Sequence, residues 1–286
     1  MTQALNLGEF AQVITLGPKG TFSNQAASVV VGDSSASIKY TSTLPEICML
    51  AAGDAHALGV IPIENSSSGI VGPTQDSLVE NEVVVVAELQ IQVSYGLVSR
   101  VPVEEVETFY CHKVAFDQVM SFTAKKLSQA KVHFVDSNMD AAFHFARSGQ
   151  DEKVAAVMPL VVAQKDEILQ GEIVAEGIED YQNNCTRFLV VRKPEEGYQP
   201  DFGRQKTSLV IESHEDRHSL LFEILREFHV FGLNLCRLES RPSKVHRWQY
   251  RFFIDFINNH RTEPCLAALA ELGISYKVLG SYDSLT

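Results

Sequence analysis

At 286 residues the chain exceeds the usual size of one compact domain, and its length predicts two or three cores. With 45% hydrophobic and 21% charged residues it has the balance of a folded globular protein, which excludes long disordered tracts. A formal charge of -12 argues against nucleic acid and anionic membrane as partners. No apolar run approaches the ~20 residues that span a bilayer, and Met1 to Phe10 lacks the form of a signal peptide, so the expected location is cytoplasmic.

The five cysteines, Cys48, Cys111, Cys185, Cys236 and Cys265, are scattered and form no C-x-x-C pair, so they read as free thiols, mostly buried. From the N-terminus, short β-branched runs alternate with helical patterns, which predicts an α/β region with largely parallel strands. A strand at Val13–Leu16 leads through a Gly/Pro turn into a helix at Phe22–Val31, capped by Thr21 or Ser23. A helix at Leu44–Ala52, with Pro45 in its first turn, precedes a buried strand at Leu58–Ile63.

A second group of elements begins near Val93: strand Glu107–Cys111, helix Ala115–Leu127, strand Val132–Val135, helix Met139–Arg147, strand Val154–Met158 and helix Leu160–Leu169. Return of the chain through Thr186–Val191 gives two α/β lobes, the second at about 94–180, around a cleft. Lys193 to Gln205, with two prolines and two glycines among charged residues, reads as a linker at 193–205. Beyond it, strand Thr207–Glu212, a helix at about Arg217–Val230, strands Leu233–Glu239 and Gln249–Ile257, helix Glu263–Leu272 and strand Tyr276–Gly280 form a ferredoxin-like βαββαβ unit. Leu220, Leu221, Ile224, Leu225 and Phe228 are expected on the helix face that covers its sheet.

Three polar segments interrupt this pattern. Gly17-Pro18-Lys19-Gly20-Thr21-Phe22-Ser23 places hydroxyl groups at a helix N-terminus, where free N–H groups favour an anion, although it is equally a plain capped turn. Glu64-Asn65-Ser66-Ser67-Ser68-Gly69 follows a buried strand, where α/β sheets bind ligands, although a solvated loop would look the same. Asn183-Asn184-Cys185-Thr186-Arg187-Phe188 offers a guanidinium fork for a carboxylate beside a hydroxyl, and alone passes for a loop and edge strand.

In this order and spacing the segments resemble the prephenate dehydratase family, whose pattern runs Gly-Pro-x-Gly-Thr-Phe-Ser, Pro-x-Glu-Asn-Ser and Asn-x-Thr-Arg-Phe. Glu239-Ser240-Arg241-Pro242 is similar to a motif of the C-terminal ACT domain that members carry. The resemblance implies a periplasmic-binding-protein-like catalytic region at 11–192, with its site in the cleft, and an ACT regulatory domain at 206–286. It makes Thr186 the residue most tied to catalysis, with Arg187 and Phe188 beside it. Thr21, Phe22, Ser23, Asn65, Ser66 and Ser137 are then expected to hold or shape the substrate.

The implied reaction is loss of water and carbon dioxide from prephenate to give phenylpyruvate, with no metal or organic cofactor. L-phenylalanine is the expected effector, bound at a subunit interface of a homodimer or homotetramer by Ser219, Leu221, Asn234, Leu235, Glu239, Ser240, Arg241 and Pro242. The chain reads as monofunctional, without room before Val13 for a fused chorismate mutase.

Departures from the family pattern keep rivals open. Ser68-Gly69 and Thr74-Gln75-Asp76 stand where Glu-Gly and Thr-Leu-Asp are usual, and His112 survives in an altered Cys111–Phe116 segment. Ser219 replaces a glycine beside the expected effector site. Arogenate dehydration, decarboxylation of prephenate without aromatisation, and amino-acid binding without turnover are the alternatives. His214-Glu215-Asp216-Arg217-His218 has the H-E-x-x-H spacing of zinc proteases, but a helix starting only at Asp216 or Arg217 would leave the two imidazoles unconverged.

Overall fold

The structure, a computed structural model of the chain, describes residues 10–165, 171–212, 218–243 and 249–286. The first elements are β1 (Gln12–Leu16), α1 (Phe22–Val31), β2 (Ser37–Thr41), α2 (Leu44–Gly53), β3 (Ala57–Asn65), β4 (Gly69–Ile70), α3 (Gly72–Glu80) and β5 (Val84–Gln92). The hydroxyl of Thr21 accepts the Asn24 N–H at 3.3 Å and so caps α1, as the sequence predicts. Glu46 accepts the Thr43 N–H at 3.3 Å at the start of α2, with Pro45 in the first turn.

The second lobe contains β6 (Tyr95–Ser99), β7 (Thr108–His112), α4 (Lys113–Gln118), α5 (Met120–Lys126), β8 (Lys131–Val135), α6 (Asn138–Arg147), β9 (Val154–Pro159), α7 (Leu160–Lys165) and β10 (Glu172–Glu176). Its sheet runs β10-β6-β9-β7-β8. The single helix expected over Ala115–Leu127 is two, because Val119, fully buried, leaves the helical region at φ -123° and its N–H turns to the Phe116 carbonyl.

The chain then returns to the first lobe as β11 (Cys185–Arg192), inserted between β3 and β5 and antiparallel to both. This corrects the expectation of largely parallel strands. The order β5-β11-β3-β1-β2 has parallel pairing only between β1 and its neighbours, since β11 arrives from the other lobe in the opposite direction. α1 covers one face through Val13, Ala26, Leu58, Leu89 and Phe188. α2 packs on the other through Ile14, Ile47, Ile61 and Leu189.

Residues 193–205 hold no helix or strand. The C-terminal elements are β12 (Lys206–Glu212), α8 (Leu220–Val230), β13 (Leu235–Pro242), β14 (Tyr250–Ile257), α9 (Thr262–Glu271) and β15 (Tyr276–Ser284). Their order is βαββαβ, with strands arranged β13-β14-β12-β15 and neighbouring strands antiparallel. Ile224, Phe228, Cys265 and Leu269 form the core beneath the two helices. Leu221 is 37% exposed, so it lies off the buried stripe on which the sequence put it.

The two sheets of the first lobe and the C-terminal unit are continuous. β15 outruns its expected end and pairs in parallel with β5, Asp283 opposite Ala87 and Ser284 opposite Glu88. Gly280 permits this, because a Cβ there would collide with the Val85 backbone. Val210, Phe253, Leu279 and Tyr282 consequently share a core with Ile61, Val85 and Leu189.

Candidate active site

β3 ends beside the start of β11, with Thr186 opposite Asn65 on one flank and Ile91 on the other. Directly opposed residues of antiparallel strands project to the same face, so all three side chains share the α1 side of the sheet. Asn65 is buried, and its Oδ1 accepts N–H bonds from Ser67 at 2.9 Å and Ser68 at 2.8 Å. Backbone N–H groups only donate, which fixes the amide orientation. Asn65 Nδ2 must therefore donate, and it does so to Thr186 Oγ1 at 2.9 Å and Asn184 Oδ1 at 2.8 Å.

The same polarity continues into the second lobe, since Asn184 Nδ2 donates to Gln118 Oε1 at 2.5 Å. Ser66 fastens the two segments further: its Oγ donates to the Asn183 carbonyl at 3.2 Å and accepts the Cys185 N–H at 2.9 Å. The half-buried Thr186 is left with a hydroxyl that accepts from Asn65 and keeps its own proton to give. Burial raises the neighbouring Cys185 thiol, which disfavours a thiolate there.

Ile91 also lines a cleft of 850 Å³ between the lobes, within the size range of small-molecule sites. Lys19, Asn24 and Gln25 form its wall at the start of α1, and Met139, Phe143 and Val162 form the wall from α6 and α7. Among the described lining residues Lys19 alone is charged. Phe22 meets Tyr95 edge to face at 5.5 Å and so joins the lobes. Among the described residues no group of three His, Cys, Asp or Glu side chains is placed to hold a metal ion.

The family model for prephenate dehydratase matches residues 13–196. The chain belongs to the prephenate dehydratase family. It is 34% identical to the bifunctional chorismate mutase/prephenate dehydratase of Aquifex aeolicus, over 99% of this chain and 76% of that protein. The crystal structure of the prephenate dehydratase of Staphylococcus aureus superposes with a TM-score of 0.83 at 28% identity, covering 95% of this chain and 99% of that one. The prephenate dehydratase of Arthrobacter aurescens, solved in complex with L-Phe, gives 0.81 at 28% identity, covering 95% and 89%.

Against this family background, not every residue expected at the site reaches it. Asn65, Ser66 and Thr186 come together, but Arg187 and Phe188 do not join them. Arg187 points to the opposite face and is 7% exposed, bound to Glu88, Glu64, Asp255 and Tyr282, so its fork is not free for a substrate carboxylate. Phe188 is 1% exposed in the core under α1. Thr21 and Ser137 spend their hydroxyls on capping: Thr21 donates to the Pro18 carbonyl at 3.0 Å, and Ser137 accepts the Asp140 N–H at 3.0 Å while donating to its carboxylate at 2.8 Å. Ser23 is buried, 8% exposed, and its carbonyl accepts from Thr15. His112 sits at the end of β7 and is held below the usual histidine range by burial, against the pull of Asp136 and Asp140.

The residues expected to bind an effector are likewise dispersed within one copy. Ser219, at φ 63°, and Leu221 start α8. Asn234 precedes β13, and Glu239–Pro242 close it, with Pro242 opposite Tyr250. At ~3.3 Å per residue the span from Asn234 to Arg241 is about 23 Å, too far for one small ligand to bridge. Arg241 also pairs with Asp76 of α3 at 3.1 Å. His214 to Arg217 of the zinc-protease spacing lie outside the described residues, and His218 is exposed.

Gln118, Asn184 and Lys19 were not singled out from the sequence as site residues. Lys19 and Asn184 sit within the quoted motifs. Gln118 carries no local signal, because its role depends on the contact between lobes.

Proposed function

We propose that the chain converts prephenate to phenylpyruvate, with loss of water and carbon dioxide, in a cleft between two periplasmic-binding-protein-like lobes. The observation that carries this reading is the fixed polarity at Thr186, whose hydroxyl accepts from Asn65 and is free to donate outward. In prephenate the ring carboxylate leaves as carbon dioxide, and its bonding electrons enter the ring. The opposite C–O bond breaks, and the departing oxygen needs a hydrogen bond and finally a proton. Solvent supplies that proton overall, so Thr186 has only to stabilise the developing charge on the oxygen. Aromatisation drives the step, and positioning supplies the rest.

Prephenate is a dianion in a protein of charge -12, and Lys19 is the cation that meets it at the cleft wall. Among the described residues no helix is long and apolar enough to cross a membrane. The βαββαβ unit at 206–286 is read as an ACT domain that binds L-phenylalanine. The L-Phe complex of the Arthrobacter aurescens relative supports that reading. Because its expected effector residues are dispersed in one copy, the effector site is assigned to an interface in a homodimer or homotetramer.

The test is turnover of prephenate by the full chain, following phenylpyruvate directly, with and without phenylalanine and for Thr186→Ala. Phenylpyruvate formation lost in the folded variant supports the reading; unchanged turnover removes Thr186 from the mechanism. Consumption of prephenate without phenylpyruvate would overturn aromatisation as the outcome.

A further inference from the structure

We propose that Arg187 is a positioning residue for Thr186, and that the C-terminal unit acts on the reaction through it. This rests on the assignment of Thr186 made above. Consecutive strand residues project to opposite faces, so the guanidinium leaves the cleft side on which Thr186 stands. It enters a buried cluster that draws on four strands. Nε donates to Glu88 of β5 at 2.6 Å, and Nη1 to Glu64 of β3 at 2.9 Å. Nη1 also lies 2.8 Å from Asp255 of β14, and Nη2 donates to the Tyr282 hydroxyl of β15 at 3.1 Å.

The location of this cluster gives it consequence. Between Arg187 and Phe188 the ladder with β3 slips register. Such irregularities bend a strand and re-aim the side chain beside them. Glu64 and Glu88 hold Arg187 from both flanking strands at this point, so the ion pairs do what the interrupted ladder cannot. Asp255 and Tyr282 form the other half of the grip, and both belong to the C-terminal unit. Asp255 is itself fixed by Arg237 at 2.8 and 3.0 Å and by Ser208 at 2.6 Å. A movement of β14 or β15 therefore reaches the guanidinium directly, and Thr186 is the next residue along the chain.

Two variants of the full chain test this. Arg187→Lys keeps the charge but not the fork. It is expected to lower kcat roughly tenfold to a hundredfold with KM within about twofold, the pattern of a misplaced catalytic group rather than a lost substrate contact. A rise in KM at constant kcat would overturn the proposal, as would no change in either. Tyr282→Phe keeps the ring and removes one contact. Hydrogen exchange is expected to quicken in the segment 183–189 but not in α8 or α9, and half-inhibition by phenylalanine to need several-fold more effector. Unchanged exchange at 183–189, or acceleration spread over the whole C-terminal unit, would overturn it.

The exchange comparison needs no turnover. If the parent chain fails to convert prephenate, the functional reading falls while the mechanical link is still decided.

Discussion

Asn65 donates to Thr186 across the β3–β11 ladder at 2.9 Å, and the direction of that bond is set by two backbone N–H groups on the far side of the Asn65 amide. Asn65→Asp reverses the direction of that bond and also removes the donor to Asn184 Oδ1. A carboxylate still accepts from Ser67 and Ser68, so the turn is kept, but its second oxygen can only accept from Thr186. The threonine proton would then point inward, away from the substrate. A loss in kcat of about 10²–10³-fold is expected, the scale of removing one donor to a developing oxyanion. Steady-state kinetics beside a thermal melt decide it; a fully active Asn65→Asp would show that the polarity is irrelevant.

Lys19→Met tests the recognition of charge. Lys19 is exposed at the cleft wall, where an ion pair at ~4 Å is worth of order 1 kcal/mol in a highly hydrated setting. KM is expected to rise about fivefold with kcat little altered, and its dependence on ionic strength to flatten. A KM that keeps the parent's salt dependence would remove Lys19 from recognition.

Much of this arrangement was legible in the sequence, and the exceptions have physical causes. The α1 cap, the buried strand before Asn65 and the order of the C-terminal elements follow from local rules of period and capping. β5 escaped because Glu88 stands in its middle and reads as surface, whereas it is 4% exposed. Its burial depends on Arg187 and Lys206, 99 and 118 residues away, and no local pattern announces such partners. The turn of Arg187 away from the cleft has a local cause. On a regular strand Thr186 and Arg187 cannot both face the substrate, and strand alternation alone predicts that one of them turns away.

The acid stability of the protein is expected to trace in part to Asp255. Burial alone would raise its pKa, but Arg237, Arg187 and the Ser208 hydroxyl hold it well below the usual carboxylate range. An unfolded aspartate titrates near ~3.9, so below that pH the unfolded chain binds a proton that the folded chain refuses. The contribution is complete above about pH 5 and is lost as pH falls toward the folded value. Asp255→Asn should cost about 3–5 kcal/mol at pH 7, because it leaves the buried Arg237 without its carboxylate partner. Urea midpoints between pH 7 and 3 should decline less steeply in the variant; an equal decline would place the acid sensitivity elsewhere.

Ser219 supplies the last test, because it alone among the described non-glycine residues has a positive φ, 63° with ψ 12°. An L-residue in this left-handed region carries a cost of roughly 1–2 kcal/mol, and the Ser219 side chain makes no capping bond that would offset it. Glycine removes the cost but loses ~0.4–1 kcal/mol through the greater freedom of the unfolded chain. Ser219→Gly is therefore expected to stabilise by about 0.5–1 kcal/mol, while Ser219→Ala, which keeps the Cβ, gains nothing. If the start of α8 borders the effector, the glycine variant should also respond to less phenylalanine, since its backbone can be approached more closely. Urea unfolding of both variants at constant m-value separates the effects. Equal midpoints for glycine and alanine would mean that the left-handed turn is not held in solution, and the effector argument built on it would go with it.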